Sequence, residues 1–238
     1  MSLFLTKEPF IEVTRKIVLA ARAAKVPYFI MVGGTGSLYV PGQDHLCAGE
    51  WGYFWRAYRQ SMADSESATQ YMEERLGPLG VGVRKLRIAR QKVREGTATA
   101  EDIAFMKEYY EKTFNDYSTT FVKAARVTYL FFDGNYTFDW SYASPPPRYR
   151  PSAKGEPITY KYDWLPLTDK PVPEFYLGWD KDDPNDMEGR LEGVSVADFA
   201  RAIADDAETK AQKWKHWTAV TPLKDDTPHP SYVKFPKM

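Results

Sequence analysis

The stretch that most constrains this chain runs from Tyr28 to Gly42, YFIMVGGTGSLYVPG. An apolar run, Tyr28 to Val32, feeds directly into Gly33, Gly34 and Gly36. The run is short and continuous, the pattern of a strand buried on both faces. Before it, residues 9–25 place Phe10, Val13, Ile17, Ala20, Ala21 and Ala24 at helical intervals. Pro9 suits the first turn, and Val26-Pro27 breaks the pattern. Helix, two-residue break and buried strand make an α/β connection, so the fold class is α/β.

Three glycines after a strand raise the question of a phosphate-cradling turn. Such a turn needs a helix to begin at the glycines, so that its N-terminal amides meet the pyrophosphate, and an acidic or basic residue further on to read the ribose. Here Ser37 is followed by LYVPGQD, an extended piece ending in a Pro-Gly turn, and no strand–helix–strand unit comes after it. As a phosphate loop the motif is weak.

Further along the chain, GEWGYFWRAYRQSMADSESATQYMEERLG is expected to be helical, with Trp51, Phe54, Trp55, Tyr58 and Met62 on one side. GPLGVG (77–82) reads as a turn, and RKLRIARQKVREG as a short basic helix. Thr99 with Asp102 signals a helix start, and the helical pattern runs from about Ala100 to Phe132. YTFDWSYA (136–143) and EPITYKYDWLP (156–166) read as strands. Ser195 caps a helix with Asp198 at its third position, HWTAV (216–220) is a last short strand, and 221–238 is an extended tail. The organisation expected is one α/β domain over 1–238, with a helical insertion at 43–116.

AARAAKVPYFIMVGGTGSL, then DWSYASPPPRYRP, then GRLEGVSVADFARAIADDAE resemble the second half of NmrA-like, atypical short-chain dehydrogenase/reductases. The resemblance covers residues 9–42, about 117–153 and 189–220. It implies a reduced Rossmann-like parallel sheet, with the Gly-Gly-x-Gly-Ser turn and the Ser-Pro-Pro strand end beside the place where that family holds nicotinamide. Read from Met1, the chain lacks the family's glycine-rich first half, which carries adenine and pyrophosphate. The Tyr-x-x-x-Lys pair of ordinary short-chain dehydrogenases is absent too. The strand at Tyr28–Val32 is therefore expected at a sheet edge, to be covered by the insertion, by the tail or by a second copy in a homodimer.

Composition narrows the classes. Lys plus Arg and Asp plus Glu balance at 32 each, which favours neither nucleic acid nor an anionic membrane. The single cysteine, Cys47, excludes an intramolecular disulfide framework and suits a reducing, cytoplasmic setting. No apolar run approaches a membrane span. The aromatic content of 15%, with seven Trp, is more than a plain core requires and suggests a ring-lined pocket or interface.

Ligands of open α/β sheets bind beyond the carboxyl ends of the strands. Those ends are Gly33 to Ser37 with Tyr39, and Tyr142 to Pro147, with Asp44, His45, Cys47 and Glu50 downstream of the first. His45 beside Asp44 is either a general base or a solvated loop residue. Tyr39 and Tyr142 either donate a proton or pack. Ser37 bonds either a substrate or its own turn. Gly34, Thr35 and Ser144 complete the candidate substrate wall. Trp51 and Trp55 either close over a flat ligand or cover the sheet edge. Asp44, His45 and Glu50 have no metal-ligand spacing. Cys47 reads as a small buried hydrophobe. The basic run from Arg84 to Arg94 is expected to be neutralised by Glu101, Asp102, Glu108 and Glu111 in a helical hairpin. The function expected is binding or conversion of a small aromatic or polycyclic molecule by acid–base chemistry without a cofactor. The alternatives are an NADPH-dependent oxidoreductase, as the resemblance implies, and a non-catalytic protein pairing through the sheet edge.

Overall fold

A computed structural model of the chain describes residues 7–115, 126–152 and 154–223. The α/β expectation holds. Helix α1 (Lys7–Ala23) leads into strand β1 (Phe29–Val32), which pairs in parallel with β4 (Trp140–Ala143). β4 pairs in parallel with β8 (His216–Val220), and β6 (Thr159–Tyr162) closes the far side antiparallel to β8, giving the order β1-β4-β8-β6. Two small ribbons flank this sheet: β2 (Tyr39–Val40) with β3 (Gln43–Cys47), and β5 (Arg148–Arg150) with β7 (Gly193–Ser195).

The two central strands are buried along their whole length, as parallel strands covered on both faces should be. Trp140 and Tyr142 pack with Val18 of α1, Tyr129 and Phe132. Ala143, Trp217 and Ala219 face the other way, onto Phe199 and Ala202 of helix α6 (Val196–Thr209). That helix starts where the sequence places it: Ser195 Oγ accepts from the Asp198 amide at 2.9 Å. β1 differs from its expected two-sided burial. It is an edge strand of the sheet, its residues are half-buried, and Val32 is 53% exposed.

The insertion is more broken than its sequence suggests. The expected first helix is two, α2 (Gly52–Ala63) and α3 (Glu66–Leu76), separated by Ser65, whose hydroxyl caps α3 by accepting from Ala68 N at 3.3 Å. GPLGVG is not a turn. Gly77, at a φ of 53° that disfavours other residues, begins helix α4 (Pro78–Glu95), and Pro78 occupies the first helical position, where no amide is needed. Helix α5 (Ala100–Asn115) opens with reciprocal bonds between Thr99 and Asp102. Residues 116–125, inside the long helix expected, lie outside the described residues, as does the tail from 224; residues 126–129 are helical. The strand expected at 136–143 shortens to β4.

The basic face of α4 finds one of its expected partners, Asp102, and several others. Lys92 bonds Asp102 of α5 at 2.9 Å, but Arg84 and Arg87 pair with Glu66 and Glu73 of α3. Arg90 is fully buried. Its guanidinium donates to both Asp64 oxygens (2.8 and 2.7 Å), Glu188 Oε1 (2.7 Å), Tyr110 Oη (2.8 Å) and Phe175 O (3.0 Å). This cluster ties α4 to the loop ahead of β7. Arg90→Met leaves Asp64 and Glu188 buried without their cation and is expected to cost about 3–5 kcal/mol. Arg84→Ala, on partly exposed pairs, is expected to cost under about 1 kcal/mol. Urea denaturation of the two variants checks this contrast.

Candidate functional site

The site grows from the ends of β1 and β4. The Gly33 amide donates to Ala143 O at 2.8 Å, and a Cβ on Gly33 would collide with the Tyr142 ring, so this position must be glycine. Gly34 enters a single 3-10 turn, Thr35–Ser37, rather than an α-helix. Thr35 Oγ1 donates to Pro145 O at 2.7 Å, tying the turn to the end of β4. Gly33 thus serves close packing between two strand ends, whereas a Cβ on Gly34 would meet open space, and no α-helix begins at the turn.

Behind this turn lies a chain of hydroxyls ending on a histidine. Ser37 Oγ is 2.7 Å from Gly34 O and 2.9 Å from Ser144 Oγ, and Ser144 Oγ is 2.8 Å from His216 Nε2. Proton counting orients the chain. A carbonyl only accepts, so the Ser37 hydroxyl proton is committed to Gly34 O. Ser37 must then accept from Ser144, whose own single proton is used there. The direction of the last bond, between Ser144 Oγ and His216 Nε2, depends on the tautomer of the ring. His216 Nδ1 is buried, with no hydrogen-bond partner among the described residues.

Nδ1 faces Asp163, whose Oδ1 is 3.8 Å away, too far for a hydrogen bond. Burial pushes the His216 pKa down to about 3, with Arg126 adding in the same direction, so the ring is neutral at physiological pH and the contact is no ion pair. The Asp163 carboxyl is raised by burial and, secondarily, by Asp133. Both His216 and Asp163 line a cleft of about 320 Å³ whose walls include Tyr39, Tyr129, Tyr136, Trp140, Tyr162 and Trp214, with Asp133 and Lys215. Tyr129 stacks obliquely on His216 with ring centres 4.4 Å apart. Two cleft residues, Asp163 (φ 60°) and Trp214 (φ 61°), hold left-handed backbone conformations that a non-glycine residue adopts at a cost.

The residues singled out from sequence disperse. Tyr39 lines the cleft, and its hydroxyl accepts from Arg126 Nη2 at 2.9 Å. Tyr142 is buried beneath it, its hydroxyl 3.2 Å from Thr128 Oγ1. Ser37 and Ser144 belong to the buried chain. Gly34 and Thr35 form the turn. Asp44 and His45 fall in strand β3 rather than a loop, and their side chains lie outside the described residues. Trp51 and Trp55 pack on the Leu38–Val40–Phe54 core, away from the cleft, with Trp55 Nε1 donating to Gly49 O at 3.0 Å. Cys47 is buried, its thiol raised by burial and 2.7 Å from Arg126 Nε.

Sequence reasoning missed His216, Asp163, Asp133, Tyr129 and Trp214. A usable signal existed for two of them. His216 is a polar residue heading an otherwise buried strand, and Asp163 comes directly after the alternating strand TYKY.

The buried neutral imidazole has a consequence for acid stability. The folded ring resists protonation down to about pH 3, whereas an unfolded histidine titrates near 6.5. Below pH ~6.5 the unfolded chain therefore binds a proton the folded chain refuses. This contribution is complete above that pH and is lost as pH falls toward 3, at about 1.4 kcal/mol per pH unit. Urea unfolding is expected to show about 2 kcal/mol lost between pH ~6.5 and ~5, and His216→Gln is expected to remove that part of the slope.

Comparison with known proteins gives no family-model match and no match among curated proteins. Among solved structures, the chain overlaps a Bacteroides thetaiotaomicron protein provisionally designated an epimerase (TM-score 0.46, 19% identity, covering 90% of this chain and 62% of that one). It overlaps a Burkholderia pseudomallei protein provisionally designated as exported (0.47, 17%, covering 90% and 65%). A third overlap is with a Streptococcus pneumoniae TIGR4 protein provisionally designated an NADH-flavin reductase (0.43, 12%, covering 92% and 68%). The chain spans less than two thirds of the length of the first two. At these scores the likenesses carry no argument about activity. No helix among the described residues is long and apolar enough to cross a membrane.

Proposed function

We propose that this chain binds a small, flat aromatic or polycyclic molecule in the cleft beside Asp163 and acts on it by acid–base chemistry without a cofactor, as an isomerase or dehydratase does. The observation that carries this reading is the joining of a ring-lined cleft to a half-exposed carboxyl that is held in a strained backbone conformation over a neutral histidine. Asp163 is the group that meets the substrate. Burial raises its pKa above the usual carboxylate value, and its place in the cleft suits it to exchanging a proton with a carbonyl, a leaving hydroxyl or a carbon of the substrate. Trp214 and Tyr136, in edge contact at 5.4 Å, offer the mouth of the cleft an apolar wall.

The second reading is an NADPH-dependent oxidoreductase. Two things favour it: the resemblance of residues 9–42, about 117–153 and 189–220 to the reductase family, and the parallel β1–β4–β8 order. Calorimetric titration with NADPH and with NADH separates the two readings. No heat at millimolar dinucleotide is expected under the first, and micromolar binding overturns it. In parallel, 2-naphthol is expected to quench tryptophan fluorescence saturably, with affinity falling at least tenfold in Trp214→Ala; an unsaturable or unchanged response sinks the cleft as the binding site.

The same proposal takes the chain as a homodimer joined at the β1 edge, where Val32 of the strand and Val13 and Ile17 of α1 are exposed. Sedimentation velocity is expected to show a dimer that Val32→Lys converts to monomer. A wild-type monomer at micromolar concentration removes this part.

A further inference from the structure

We propose that Ser37, Ser144 and His216 are positioning residues that lock the His216 tautomer so that Nδ1 acts as a hydrogen-bond acceptor for the protonated carboxyl of Asp163. The use of this device in chemistry rests on the cleft reading above; its existence does not.

The hydroxyl chain has one direction only. Gly34 O takes the Ser37 proton (2.7 Å), Ser37 takes that of Ser144 (2.9 Å), and Ser144 takes that of His216 Nε2 (2.8 Å). Reversing any link leaves two lone pairs facing each other in a buried space, or forces the buried Gly34–Ser37 bond to break. Ser37, Ser144 and His216 are at most 2% exposed, so water does not readily scramble the order. The lone pair on Nδ1 therefore points at Asp163. An ionised Asp163 presents a second lone pair to it. A protonated Asp163 can close the 3.8 Å gap and donate. The arrangement favours the acid over its carboxylate, as a general acid requires.

The charges around Asp163 do not contradict this. Asp133, across the cleft, also favours the protonated form. Lys215 lines the same cleft but sits over the Tyr162 ring at 4.9 Å and donates to Ala211 O. Arg126 is turned to Tyr39 Oη and Cys47 Sγ and lies over the Tyr39 and Tyr129 rings.

The two serines then have unequal effects, which a merely structural role would not produce. In Ser37→Ala the Ser144 hydroxyl loses its acceptor, so it is free to turn and donate to Nε2. The ring proton moves to Nδ1, which then donates to the Asp163 carboxylate and stabilises the ion. In Ser144→Ala, Nε2 still has Ser37 Oγ at 3.3 Å, and that oxygen is already committed as a donor to Gly34. The Nε2–H tautomer survives.

The experiment is ¹⁵N-histidine NMR of the full chain, with His216 resonances assigned by His216→Gln, together with a ¹³C-carboxyl pH titration of Asp163 assigned by Asp163→Asn. Expected are an Nε2–H tautomer in wild type and Ser144→Ala, an Nδ1–H tautomer in Ser37→Ala, and an Asp163 midpoint at least one pH unit lower in Ser37→Ala than in wild type. An Nδ1–H tautomer in the wild-type protein overturns the proposal whatever the variants do, and so does an unchanged Asp163 midpoint in a folded Ser37→Ala. Binding of 2-naphthol is scored separately. Its absence beside the expected tautomers removes the cleft reading and leaves the tautomer lock standing. Its presence beside the wrong tautomer does the reverse.

Discussion

Two main-chain hydrogen bonds joining the β4 and β8 segments set the frame on which the site depends: Tyr142 N to Lys215 O at 3.0 Å, and Ser144 N to Trp217 O at 2.8 Å. Together they fix a parallel register in which Tyr142 lies beside His216. Side chains alternate across a sheet, so a slip of one residue would turn His216 into the Phe199 core and carry Trp217 toward the cleft. Both changes are costly: a large ring would leave its core, and a polar ring would enter it without partners. The apolar half of the register thus enforces the polar half. Core and site are specified by the same ladder.

The insertion contributes at a distance. Its own core, built around Met62, Leu86, Met106 and Tyr110, is separate from the sheet clusters. It is fastened to the loop ahead of β7 by Arg90 with Asp64 and Glu188, and by Arg56 with Asp180 and Asp186. Buried ion pairs of this kind add little net stability over an apolar replacement of both partners, yet removing one partner is severe. Their effect here is to fix where α4 docks, since each carboxylate oxygen accepts at a defined angle from the guanidinium fork.

Legibility from sequence tracked the range of the signal. HWTAV was readable as a strand because five residues suffice for that pattern. The Ser195–Asp198 cap was readable because it closes over three residues. That no α-helix begins directly after Gly33, Gly34 and Gly36 was readable for the same reason, since the residues after Ser37 are extended rather than helical. Errors arose where a local sign had two meanings. Gly77-Pro78 suggests a turn, but proline at a first helical position starts a helix equally well. Asp64-Ser65 reads as helix interior until the serine's capping role appears. β1 lies at the sheet edge, as the strands that the sequence offers as its partners imply. Sequence proximity points the basic run on α4 to α5, yet α5 supplies Asp102 and the other carboxylates come from α3, from Asp64 after α2 and from Glu188 ahead of β7.

The candidate site lay beyond that range. Ser37, Ser144, Asp163 and His216 come from four separate segments, and each is ordinary where it stands in the sequence: a turn serine, a serine before prolines, an aspartate after a strand, a histidine heading one. The sequence by itself determined the α/β class, the run of helices after β3, the main strands and the extended piece after the glycine turn, because each rests on periodicity or on backbone rules acting within a few residues. Only the tertiary structure decided which titratable groups meet. A tautomer, a raised carboxyl and a ring-lined cleft are properties of distances across strands, and those distances exist only once the register of β4 on β8 is set.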